Sequence, residues 1–228
     1  MIIGSGLLAN SFSERISPHS GVWIYAAGVS NSSCIDFGEF ERERVRLNEA
    51  LNEGREAKAF IYFSTCSVDD PQFKDSKYVI HKLSMEKLVR GHSNFLIARL
   101  PQVAGKTSNP HTLLNYLHSK ISRSEAFDLW TKASRNIIDV EDVASIVIEL
   151  INSPEMTRRT INIANPESVS VADIVCAMEN EVGKKAVTRN IDDGFSYFID
   201  TSAIEPIINC LGLRFPKSYI QSVIKKYY

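Results

Sequence analysis

Short β-branched and aromatic runs alternate along the chain with longer stretches in which apolar residues recur every three or four positions. The pattern predicts strands at 2–3, 22–27, 60–64, 95–100 and 160–164, and helices at 7–16, 38–53, 76–90, 110–122, 140–152 and 171–182. Strands and helices in alternation imply an α/β fold, a parallel sheet covered by helices. The last predicted helix carries the fullest local signature. Ser170 stands at its N-cap with Asp173 three residues on, apolar residues follow at helical spacing, and Gly183 stops it. After Gly105 the segment "KTSNPH" breaks the rhythm. The expected division is therefore a core at 1–105 and a mixed segment at 106–228, in which about 135–165 completes the core and the remainder forms a smaller lobe. The C-terminal "FPKSYIQSVIKKYY" predicts a terminal helix with a basic, solvated face.

Composition narrows the partners. With 228 residues, 44% hydrophobic, 23% charged and a formal net charge of -1, the chain can bury a sizeable core and has no electrostatic bias toward nucleic acid or an anionic membrane. No apolar run approaches the roughly 20 residues of a membrane helix, and no basic-then-apolar leader opens the chain, so no membrane insertion and a cytoplasmic location are expected. Four scattered cysteines are expected to be reduced and structural. His111 and His118 flank an apolar stretch with no neighbouring acid or thiol to complete a ligand set, and no metal is expected.

Two motifs bear on chemistry. "MIIGSGLLANSF" places Gly4, Gly6 and Ala9 in a G-x-G-x-x-A arrangement between an apolar start and helix-compatible residues. In a dinucleotide fold the first glycine makes the tight turn, the second lets the backbone approach a pyrophosphate, and the third small residue lets helix pack on strand. The acidic residue that would read the adenosine ribose about 20 positions on is missing, since "GVWIYAAGVS" offers no carboxylate. In "DSKYVIHKLSMEKL", Tyr78 and Lys82 stand four residues apart, on one face of a helix, where a reaction centre and a solvated surface pair are both open readings.

Taken in order, these segments resemble the extended, sugar-nucleotide-modifying branch of the short-chain dehydrogenases/reductases. "MIIGSGLLA" is similar to the first strand and phosphate turn, although that branch usually has G-x-x-G-x-x-G. "WIYAAGVS" is similar to the fourth strand, "FIYFSTCSV" to the fifth with its catalytic Ser/Thr at Thr65, "YVIHK" to the Tyr-x-x-x-Lys pair, and "IARLPQVAG" to the sixth strand and the loop beneath the nicotinamide. "RNIIDVEDVASIV" resembles the segment whose arginine contacts a nucleotide-sugar phosphate, and "INIANPESVSVADIV" the seventh strand and its helix. The resemblance implies a Rossmann-like doubly wound parallel sheet, shortened by the loss of the second and third strands, with a small C-terminal substrate lobe.

It also implies roles. Tyr78 becomes general acid/base, Lys82 its electrostatic tuner and cofactor ligand, and Thr65 the hydroxyl that orients the substrate oxygen, with Ser64 as a substitute. NAD or NADP is the expected cofactor, held by Gly4, Gly6, Leu7, Leu8, Ala26, Ala27, Gly28, Ser64, Tyr78, Lys82, Leu100, Pro101 and Val103. The expected partner is a nucleotide-sugar substrate at Thr65, Gln102 and Arg135, with Trp130 and Lys132 as nearby candidates and a homodimer allowed. The 4,6-dehydratases of the branch carry Asp-Glu or Asp-Lys after the catalytic threonine. Cys66-Ser67 stand there in this chain, which leaves reduction of a nucleotide-linked keto-sugar as the expected activity and epimerisation as the alternative. A non-catalytic NAD(P)-binding sensor is the alternative of another class.

Overall fold

The computed structural model describes residues 1–153 and 158–228. In chain order its strands are β1 (Ile2–Ile3), β2 (Val22–Tyr25), β3 (Ala59–Thr65), β4 (Phe95–Leu100), β5 (Gln102–Ala104), β6 (Phe127–Trp130), β7 (Ser134–Arg135), β8 (Ile137–Asp139), β9 (Arg159–Asn162), β10 (Val169–Ser170) and β11 (Thr188–Ile191). Its α-helices are α1 (Leu7–Phe12), α2 (Phe37–Glu53), α3 (Lys77–Val89), α4 (Leu113–Ser122), α5 (Val140–Asn152), α6 (Val171–Val182), α7 (Glu205–Cys210) and α8 (Tyr219–Tyr227).

The central sheet has the order β1-β2-β3-β4-β9, with every pair parallel. Because side chains alternate across a strand, the sheet builds a core on each face. Ile24, Ile61 and Phe63 meet α1, α5 and α7 on one side, while Tyr25, Phe60 and Tyr62 meet α2 and α3 on the other. A parallel sheet buried on both faces accounts for β3 being enclosed along its whole length, and each such Ile or Phe contributes roughly 1.5–3 kcal/mol. The sheet starts at β1, as a Rossmann-like fold shortened at that edge would. A separate apolar cluster joins α4, α6 and α8.

Several predicted boundaries move. The first helix ends at Phe12 instead of Ile16, where the Ser11 and Ser13 hydroxyls donate to the Leu8 and Asn10 carbonyls and compete for the groups that would extend it. The fourth begins at Leu113 instead of Pro110, capped by Thr112. β2 stops at Tyr25, two residues early, and the last sheet strand runs Arg159–Asn162 rather than 160–164. The C-terminal helix is less solvated than expected, since Lys226 donates to Asp139 at 2.7 Å.

Candidate active site

The C-terminal ends of β1 to β4 open into one cleft of ≈ 680 Å³. At its start, Gly4 has φ +132°, and a Cβ there would meet the Ala26 carbonyl oxygen at 2.4 Å, so only glycine makes this turn. A Cβ at Gly6 would meet nothing within 4 Å, which leaves the backbone bare to the cleft. Leu7 and Leu8 follow along the cleft, with Ala26, Ala27 and Gly28, beyond β2, alongside the turn.

β3 ends at Ser64 and Thr65, and both line the cleft. Thr65 caps the short 3-10 turn at Cys66–Asp69 by accepting from the Ser67 N–H at 3.1 Å. Ser64 is differently engaged: its hydroxyl donates at 2.7 Å to Glu86, a buried carboxylate that also accepts from Arg99 and Arg90. Burial works against the charge on Glu86, but Arg99, Ser64 and Arg90 outweigh it and hold the carboxyl below its ordinary range.

Helix α3 starts at Ser76, whose hydroxyl accepts from the Val79 N–H, and this cap sets Tyr78 and Lys82 one turn apart on the cleft wall. Both are buried. Burial pushes the Tyr78 phenol up from its usual value; Thr65 opposes that rise, while the charge on Glu43 and the nearby Cys66 add to it. Burial lowers the Lys82 ammonium against the pull of Glu43.

From β4 onward, Leu100, Pro101, Gln102 and Val103 form the floor. Arg135, on β7, lines the far end and is half-buried; its Nη1 donates to the Ser134 carbonyl at 2.7 Å. Trp130 and Lys132 do not line the cleft, and Lys132 pairs instead with Asp192 at 3.0 Å on the surface. Other cleft residues were not singled out from sequence, among them Ser30, Ser32, Ser33, Arg46, Asn109 and Tyr197, and His111, considered only as a metal ligand, also lines the cleft. Isolated loop positions, and an exposed helix position such as Arg46, carry no periodic signal, whereas Glu43, behind the cleft wall, interrupts the apolar stripe that Leu47 and Ala50 continue along α2.

A parallel sheet with a glycine turn after its edge strand, and a Thr, Tyr and Lys gathered at the ends of the next elements, defines a Rossmann-like α/β protein. The sequence profile of the NAD dependent epimerase/dehydratase family matches residues 42–164, just over half of the chain. The chain belongs to that family, and is an NAD(P)-dependent enzyme of the short-chain dehydrogenase/reductase type. No curated protein matches it in sequence. Among solved structures it is similar to MoeE5 in complex with UDP-glucose and NAD (19% identity, TM-score 0.69, covering 90% of this chain and 78% of that one). It is also similar to UDP-glucuronic acid 4-epimerase from Bacillus cereus in complex with UDP-glucuronic acid and NAD (18%, TM-score 0.69, 91% and 76%). A third is RMD from Pseudomonas aeruginosa complexed with NADPH (14%, TM-score 0.69, 93% and 82%). At these identities the likeness is one of fold. Among the described residues no helix is long and apolar enough to cross a membrane.

Proposed function

We infer that the protein is an NAD(P)-dependent reductase of a nucleotide-linked keto-sugar, with Tyr78 as the proton donor. The observation that carries this reading is the single cleft in which the bare glycine turn, Thr65, Tyr78, Lys82, Gln102 and Arg135 are all wall residues. The cradle suits an extended dinucleotide: Gly6 leaves its backbone uncovered at the cleft, and the small residues Ala26 and Ala27 beside the turn keep the wall low. Gly4, Gly6 and Leu7 would hold the pyrophosphate, and Lys82, whose ammonium has three donors, would reach the nicotinamide ribose. A bound reduced nicotinamide supplies the hydride. Tyr78 then gives its proton to the substrate oxygen, which Thr65 orients, and takes another from water afterwards.

At the far end, Arg135 would grip the substrate diphosphate, because a guanidinium presents two parallel donors to phosphate oxygens. Arg135→Ala is then expected to weaken nucleotide-sugar binding by the ~1.5–3 kcal/mol of a charged hydrogen bond while sparing cofactor affinity. Unchanged nucleotide-sugar affinity in that variant would remove Arg135 from the substrate site.

Epimerisation is the second reading, favoured by the UDP-sugar complexes among the solved relatives. The two differ in stoichiometry: a reductase consumes one reduced cofactor per product, and an epimerase consumes none overall. Incubating the protein with a panel of nucleotide sugars and each reduced cofactor, while following cofactor oxidation and product mass, separates them. An isomerised sugar formed without cofactor loss would select the epimerase.

A further inference from the structure

The cleft residues Tyr78 and Lys82 are backed by a carboxylate from a different helix. Glu43, on α2, is fully buried, and groups from the elements around it converge on it. The Val29 N–H donates to it at 2.7 Å and the Tyr62 hydroxyl at 2.7 Å, His81 Nε2 lies at 2.9 Å, and Lys82 Nζ donates at 3.3 Å. Tyr25 reaches the backbone carbonyl of the same residue at 3.2 Å, and Phe40 stacks on His81. Lys82 also donates to the Phe63 carbonyl at 2.9 Å and stands 4.6 Å over the Tyr62 ring. The chain makes room for this pair at Gly28, where a Cβ would lie 2.7 Å from Glu43 Oε1 and 3.0 Å from Lys82 Nζ. A buried carboxylate without partners is strongly unfavourable, and here the Val29 N–H, the Tyr62 hydroxyl, His81 and the Lys82 ammonium supply them.

We propose that Glu43 is a positioning residue of the reaction centre: its carboxylate fixes the Lys82 ammonium and offsets its charge, so that Tyr78 stays a phenol and enters the reaction as an acid. The proposal rests on the reading of Tyr78 as the proton donor, and adds a direction to it. An ammonium alone beside Tyr78 would favour tyrosinate, the form needed to take a proton from an alcohol. An anion held against that ammonium acts on the same phenol with the opposite sign. Thr65, Cys66 and Tyr62 are the other polar groups that bear on Tyr78, and Glu43 bears on it in the sense that disfavours ionisation. In the reductive direction the steps balance: hydride from the reduced nicotinamide forms the new C–H bond, the Tyr78 O–H bond breaks, its proton goes to the former carbonyl oxygen, and water restores the phenol.

The test needs no substrate. Protein labelled with 13C at tyrosine Cζ is titrated by NMR from neutral pH upward to the alkaline limit of the folded state, because the buried Tyr78 phenol ionises above the ordinary value of ~10. The Tyr78 signal is assigned with Tyr78→Phe. Glu43→Gln is expected to move the onset of Tyr78 ionisation at least ~10-fold down in hydroxide concentration, one pH unit. A folded Glu43→Gln protein in which Tyr78 behaves as in wild type overturns the proposal. The thermal midpoints of Glu43→Gln, Lys82→Met and the double variant supply a second reading, independent of whether Glu43→Gln alone folds. Glu43→Gln/Lys82→Met should melt above Lys82→Met, because it removes a buried carboxylate that has lost its ammonium. A double variant no more stable than Lys82→Met also overturns the proposal. Neither measurement reads turnover, so loss of the catalytic reading would appear separately, as wild-type activity in Tyr78→Phe.

Discussion

Tyr78 and Glu86 illustrate how differently two buried ionisable residues on α3 serve the same cleft. Tyr78 lines the cleft with its phenol held protonated, so on the proposed reading removing the hydroxyl would delete a proton source and little packing. Tyr78→Phe is expected to fold normally and to lower turnover by about 100-fold or more, the usual cost of losing a positioned acid/base. Wild-type turnover would remove Tyr78 from the chemistry. Glu86 faces away, into Arg99, Arg90 and Ser64, and its role is to keep the end of β3 in place. Its carboxyl is held below the ordinary value by those partners. A depressed carboxyl contributes stability that is present above the unfolded pKa, about 4.3, and is lost as pH falls through the lower folded value. Glu86→Gln should therefore cost about 3 kcal/mol at neutral pH, and the gap from wild type should narrow below about pH 4. A gap in melting temperature that stays constant down to pH 3 would contradict this account. Tyr78 was legible from its spacing to Lys82, whereas the pairing of Glu86 and Glu43 was not, because a buried ion pair is defined by residues distant in sequence, even where, as at Glu43, the charge visibly interrupts an apolar stripe.

At the scale of elements, the sequence announced whatever was long, periodic or locally capped. α5 and α6 run as predicted, and Ser170 accepts from the Asp173 N–H at 3.0 Å while Gly183 ends α6 at φ 71°. The short pairs β7–β10 and β6–β11 were not legible, since their residues form no β-branched or apolar run of the kind that marks β1 and β2, and their partners lie far along the chain. The missing strands were legible as a missing carboxylate after β2, and they determine the cofactor's far end. In the structure β1 is the sheet edge, so the side where an adenosine ribose would be read has no strand to carry the acid. Cofactor binding should therefore rest on the pyrophosphate and nicotinamide contacts, with NADH and NADPH differing by less than about 1.4 kcal/mol, a factor of 10 in affinity. Calorimetric titration with both reduced cofactors checks this; strong preference for one would mean that another part of the cleft, such as Arg46, reads the ribose.

For the whole molecule, the question is how the sheet and the second apolar cluster act as one body around a cleft they share. The link is at Asp139. It caps α5, which packs on the sheet, by accepting from the Glu141 N–H, and it also accepts from Lys226 at 2.7 Å and Tyr227 at 2.6 Å, both on α8 of the second cluster. Nearby, Tyr219 donates to Asp142 at 2.6 Å and accepts from the Asp139 N–H. One carboxylate thus serves a helix cap and an anchor for the C-terminal helix, and Arg135 lies a few residues before it on the same segment. Asp139→Ala removes a cap worth about 0.5–2 kcal/mol together with charged hydrogen bonds of roughly 1.5–3 kcal/mol, for a loss of about 3 kcal/mol once overlap is allowed for. In a chain of this length that lowers the melting temperature by roughly 6–12 °C. The apolar contacts of Ile220, Val223 and Ile224 remain, so α8 should stay docked, but with its coupling to α5 weakened. Scanning calorimetry should then show the single transition of the wild type broadening or splitting, with nucleotide-sugar affinity falling and NADH affinity nearly unchanged. An Asp139→Ala protein that melts like wild type, in one sharp transition, would mean that the two clusters are joined by packing alone.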